Sequence, residues 1–199
     1  MVNLISPNQL IMKLKFTFLF IFFISITVFA QYNYEASLKH PFGKYNPKAP
    51  KQLLDYQGLI GECKCKSESR KSDGTWAKPV KMTWLWKYIM NGTGVQDMTL
   101  KEDGSHGGSI RQYNKDSLSW YVHYYTSKVA SPKLRAWSGN KNKEGEIVLY
   151  SNQKAPNGTE GFSRLTFYDI DKKGYKWKGE WVDKTETVVY PFWKITCTK

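Results

Sequence analysis

From Gly61 to the C-terminus, apolar and polar residues alternate with a period of two, the pattern of strands with one buried face. The segment at 79–90 shows it most fully: Val80, Met82, Trp84, Trp86 and Tyr88 fall on one side and Lys81, Thr83 and Lys87 on the other, with Leu85 and Ile89 breaking the polar side. Near the end, Tyr175, Trp177 and Trp181 oppose Lys176, Lys178 and Glu180, and Trp193, Ile195 and Cys197 oppose Lys194 and Thr196. Turn signals interrupt the alternation at Asp73-Gly74, Asn91-Gly92, Asp103-Gly104, Asn114-Lys115-Asp116, Glu144-Gly145, Asn157-Gly158 and Lys173-Gly174. Between them lie about ten strands, near 60–69, 79–90, 95–101, 107–114, 117–126, 133–138, 145–151, 161–170, 174–182 and 187–197, by the spacing rules for short strands and turns. With no helical period long enough for a βαβ unit, the pattern predicts an antiparallel meander whose edge strands need covering or closure. Ala49–Tyr56 predicts two helical turns ahead of it, and the stretch from Pro41 to Lys51, with three prolines, reads as an exposed lead-in.

The first thirty residues follow a different rule. Lys13 and Lys15 precede an uncharged run from Phe16 to Ala30 that closes on Val28-Phe29-Ala30 before Gln31. A basic start, an apolar middle and a small residue at the cut describe a secretory signal peptide, and the run is shorter than the roughly 20 residues a spanning helix needs. The expected organisation is a signal peptide over 1–30, a lead-in over 31–52 and one β domain over 53–199, exported to the periplasm or the medium, with no transmembrane segment in the mature chain.

Removing that leader takes two lysines and no acid, so the net charge falls from +13 to +11 over the remaining 169 residues. Such a balance favours weak contact with anionic lipid or polysaccharide. It does not indicate a nucleic-acid platform, because bases need aromatics and cations on one face and strand parity puts Trp and Lys on opposite faces. No cofactor motif is present. The three cysteines, Cys63, Cys65 and Cys197, lack a zinc-ligand spacing, and no metal is expected. In an oxidising compartment one disulfide and one free thiol result. If the first and last strands pair, Cys63 or Cys65 faces Cys197 across the seam; Cys65–Cys197 is the pair carried forward, with Cys63 the open alternative.

Several short segments, in order, carry a resemblance: Gly61-Glu62 after a short helix, Asp73-Gly74-Thr75-Trp76, Trp84-Leu85-Trp86, Ser109-Ile110-Arg111-Gln112-Tyr113-Asn114, Leu118-Ser119-Trp120, Phe162-Ser163-Arg164-Leu165-Thr166-Phe167, Tyr175-Lys176-Trp177 and Phe192-Trp193-Lys194-Ile195. Together they resemble the lipocalin-like, calycin-type β-barrel domains of unknown function common in bacteria, over most of residues 53–197. The chain departs from that pattern on its first strand, where Gly61-Glu62-Cys63 stands in place of Gly-x-Trp. The resemblance implies an all-β fold, a closed antiparallel up-and-down barrel of about eight to ten strands with a short N-terminal helix, and a cavity for a small apolar or aromatic molecule.

A barrel of this size either fills its interior or holds one small ligand. The residues that would line an aromatic pocket are Trp84, Trp86, Tyr113, Trp120 and Trp177, with Arg111 and Arg164 as candidate cationic anchors; parity leaves the direction of both arginines open, and an outer position beside Asp97, Asp169 or Glu180 is the alternative. His40, His106 and His123 are not placed as general bases, and no Ser-His-Asp, H-E-x-x-H or P-loop spacing occurs. The expected protein is a monomeric exported carrier, with enzyme activity left undecided and disfavoured. Two alternatives stand beside it: an envelope or surface interaction protein working through its basic exterior, and an isomerase or hydrolase using Glu180 or Tyr113.

Overall fold

In a computed structural model that describes residues 32–199, ten strands follow a short 3-10 helix, Lys51–Tyr56. They are β1 (Gly61–Ser69), β2 (Val80–Ile89), β3 (Gly94–Lys101), β4 (His106–Asn114), β5 (Ser119–Thr126), β6 (Arg135–Lys141), β7 (Ile147–Asn152), β8 (Gly161–Tyr168), β9 (Gly174–Asp183) and β10 (Val189–Thr198). Each pairs antiparallel with its neighbour in sequence, and β1 pairs with β10, so the sheet closes without an edge. The leader at 1–30 lies outside the described residues. Tyr34–Lys199 form one compact unit, and among the described residues no helix is long and apolar enough to cross a membrane.

The alternation in sequence becomes the inside and outside of the barrel. Cys63, Cys65 and Ser67 on β1, and Met82, Trp84, Trp86 and Tyr88 on β2, are buried, while Lys64 and Lys66 are exposed. At the closing seam Cys65 lies opposite Cys197, and the two form a disulfide with their Cα atoms 4.1 Å apart across 132 positions of chain. A link over so long a loop removes much unfolded-chain entropy and stabilises by about 4 kcal/mol.

The barrel has two unlike ends. One carries the β2–β3, β4–β5, β6–β7 and β8–β9 turns, and there the 3-10 helix sets Leu53 and Tyr56, and the turn after it Leu59, into the interior with no exposed surface. The stretch predicted as an exposed lead-in is docked at this end. Phe42 O accepts from Tyr88 N at 2.9 Å, Gly92 O accepts from Asn46 N at 3.2 Å, and Asn46 Nδ2 donates to Asn91 O at 3.1 Å. Its few apolar residues hid this, because the docking runs through backbone and amide groups. Gly92, at φ +76°, makes the approach possible: a Cβ there would stand 2.3 Å from Lys44 O.

Candidate functional site

The packed end is an aromatic cluster built on Tyr56. Its ring stacks on Trp86 at 5.7 Å and meets Trp120 edge-on at 4.8 Å, and Trp120 in turn meets Tyr113 at 5.6 Å. Trp120 Nε1 donates to Asp55 Oδ2 at 3.1 Å, and Trp86 Nε1 donates to the Tyr175 hydroxyl at 2.9 Å. Desolvation pushes the Tyr56 hydroxyl up to about 12, and burial likewise raises Tyr175 and the free thiol of Cys63. Every one of these groups stays protonated at neutral pH, and the cluster behaves as core.

Above it lies a charged pair. Arg111, 3% exposed, donates to Asp97 Oδ1, and Trp84 Nε1 donates to Asp97 Oδ2 at 2.8 Å. The guanidinium carbon sits 4.4 Å from the Trp86 ring centre and 5.3 Å from that of Tyr56. Burial works most strongly against the Arg111 charge, but Asp97 and Tyr56 together offset it and leave the guanidinium above its ordinary range. With both oxygens engaged, Asp97 is a structural counter-ion and not a free base. Arg111 Nε has no hydrogen-bond partner in the protein, an uncommon condition for so buried a donor.

Beyond this layer the barrel is hollow. A cavity of about 250 Å³ opens at the end opposite the helix, walled by Trp84, Val122, Trp137, Phe167, Trp177 and Trp193, with Arg111 and Asp97 at its floor. That volume is below the range of about 300–1,000 Å³ usual for drug-sized ligands, so the space suits a smaller molecule. Two of its tryptophans are fixed by serine hydroxyls: Trp137 Nε1 donates to Ser163 Oγ at 3.3 Å and Trp193 Nε1 to Ser67 Oγ at 2.8 Å. On β10 the register shifts between Pro191 and Trp193. This bulge brings two consecutive residues, Phe192 and Trp193, to the cavity where strict alternation would admit one. A larger groove, about 1020 Å³, lies on the outer surface at the packed end, but Lys141, Glu146, Asp171 and Lys173 line it with mixed charge.

Of the residues singled out in sequence, Trp84, Arg111 and Trp177 line the cavity. Trp86, Trp120 and Tyr113 stand in or against the packed cluster instead, because Tyr56 occupies the space they face. Arg164 is on the outer face, where its Nη2 donates to Glu180 at 3.0 Å and its Nη1 reaches Glu186. Glu180 is therefore committed to an outer ion pair, with Lys178 also 3.3 Å away. Trp137, Phe167, Phe192 and Trp193 were not singled out as cavity residues. The signal for the last two was Pro191, since a proline inside a strand marks a bulge or edge.

These features define a closed antiparallel barrel with a packed floor and an aromatic-walled internal cavity. The chain matches no protein-family model and no curated protein sequence.

Proposed function

We propose that the protein is an exported lipocalin-like carrier that holds one small apolar or aromatic molecule in the open end of its barrel. The observation that carries this reading is a preformed cavity of about 250 Å³ walled by indole and phenyl rings. Burying a flat guest against such faces combines desolvation of apolar area with stacking or edge contacts of about 0.5–1.5 kcal/mol per ring pair. Arg111 and Asp97 give the cavity a polar floor beneath its aromatic walls. The signal-like leader, the Cys65–Cys197 disulfide and a sheet that closes within one chain support export as a free carrier.

Native mass spectrometry on protein isolated from the envelope and medium of its source tests this reading. The expected result is a chain beginning at Gln31 that carries a stoichiometric extra mass, lost on denaturation. A chain bare in every fraction, together with no uptake of a small aromatic probe, would count against a carrier and favour the basic exterior as the working surface.

A further inference from the structure

The charge around the cavity is unevenly matched. Arg111, Lys101, Lys128 and Arg135 line it against one carboxylate, Asp97, leaving a net three positive charges with histidine neutral. The floor accounts for none of that excess, because Arg111 and Asp97 hold each other. The excess lies at the mouth, where, among the described residues, Lys101, Lys128 and Arg135 form no ion pair. Lys66, Lys87 and Lys143 on the outer face likewise form no ion pair among the described residues, so what distinguishes the mouth cations is their place around one cavity.

Two of the three mouth cations also lie against the aromatic wall. Lys101 Nζ lies 4.7 Å from the ring centre of Trp193, and the Arg135 guanidinium lies 4.7 Å from that of Trp137, where it also donates to Gln153 Oε1. Both rings face the cavity as well, so each cation stands over the edge of a surface on which a guest would rest. Partial burial lowers the Lys101 pKa, with Asp103 opposing and Lys128 adding to the fall; the protein wall around the Arg135 head lowers that group too. An anion between them would ease the mutual repulsion of Lys101 and Lys128.

We infer that the guest is an amphiphilic anion: its aromatic or apolar body sits between the Trp and Phe walls, and a carboxylate or sulfonate stays at the mouth, bound by Lys101, Lys128 and Arg135. This rests on the carrier reading and specifies its ligand class. The anion belongs at the mouth because the Arg111 charge is already neutralised at the floor, whereas the rim offers guanidinium and ammonium donors that no protein carboxylate occupies. The guest enters body first, and its charged group is never fully dehydrated.

Two probes with the same ring system separate the claims: 2-naphthol, neutral at pH near 7, and 2-naphthoate, each titrated calorimetrically into the chain from Gln31 to Lys199. Hydrogen bonds to charged groups are worth about 1.5–3 kcal/mol, so 2-naphthoate is expected to bind at least about tenfold more tightly at low salt. In a Lys101→Met/Lys128→Met/Arg135→Met variant that ratio should fall to near one. Independently of any variant, raising salt from about 20 mM to about 500 mM should weaken 2-naphthoate and erase most of its advantage over 2-naphthol. Equal affinity of the wild-type chain for the two probes, or a preference for 2-naphthoate that survives both the triple variant and high salt, would overturn the anion assignment while leaving the carrier reading intact. Binding of neither probe would overturn both.

Discussion

The two ends of the barrel are built from similar residues and do opposite things. At the helix end, Tyr56 fills the lumen, and Trp86, Trp120 and Tyr175 spend their polar atoms on one another and on Asp55. At the other end, Trp84, Trp137 and Trp193 are anchored through their indole nitrogens to Asp97, Ser163 and Ser67, and each ring still borders the cavity. An inward-facing tryptophan is therefore core or binding surface according to what enters from the end of the barrel, not according to its own strand. Here one tyrosine on a six-residue helix makes that difference.

Substitutions that break the contrast should differ most in stability. Loss of the seam disulfide in a Cys65→Ala/Cys197→Ala variant is expected to cost about 2–5 kcal/mol in urea unfolding, because it releases a closed loop spanning 132 positions. Tyr56→Ala should cost about 3–5 kcal/mol and extend the cavity toward the packed end, so it should also admit longer guests; a stable variant with unchanged guest size would mean the helix is not a plug. Asp97→Ala, which strands the Arg111 charge and the Trp84 N–H, should cost about 3–5 kcal/mol, whereas Asp97→Leu/Arg111→Met should cost clearly less. Trp177→Leu, at the open end, should weaken binding of an aromatic probe about tenfold or more while lowering stability less than any of these.

A pH titration separates the ends by a smaller effect. Tyr56 and Tyr88 both belong to the packed end, and desolvation raises each from 10.0 to about 12. The folded state thus retains protons that the unfolded chain loses, and their contribution is present in full below pH 10.0 and lost as pH rises toward about 12. Unfolding free energy should drop across that window by about 1.4 kcal/mol per pH unit for each tyrosine. Tyr56→Phe should make the alkaline drop shallower. At neutral pH it should cost no more than about 1.5 kcal/mol, the net worth of one polar contact, here with the neighbouring Arg111 guanidinium.

The sequence showed the walls of this barrel better than its contents. Parity along 79–90 and 175–178 separated buried from exposed positions, though Glu180 and Val182 are buried on the side read as outer and Trp181 only partly on the side read as inner. The Asn-Gly, Asp-Gly and Glu-Gly turns fell between strands, so the ten-stranded meander was legible, and so was a closing disulfide to Cys197 up to the choice between Cys63 and Cys65. Parity has two values, however, and a site in a barrel also has a level along the axis. Trp84 and Trp86 share a face two residues apart, yet one borders the cavity and the other lies under Tyr56. Nothing local to β2 distinguishes them. Arg111 and Arg164 were equivalent in sequence because apolar neighbours flank both; only cross-strand pairing puts Arg164 beside Glu180 on the outside and Arg111 beside Asp97 within. The cation rim was illegible for a related reason, since Lys101, Lys128 and Arg135 come from three separate segments that meet only on closure.

The most direct measurement is a crystal structure of the chain from Gln31 to Lys199 grown with 6-bromo-2-naphthol, with the bromine located by its anomalous signal. The expected result is a single peak inside the open end, with the ring between Trp84, Trp137 and Trp177. A peak confined to the outer surface or to the groove beside the 3-10 helix, with the cavity empty, would contradict the division of the barrel into a packed end and a binding end.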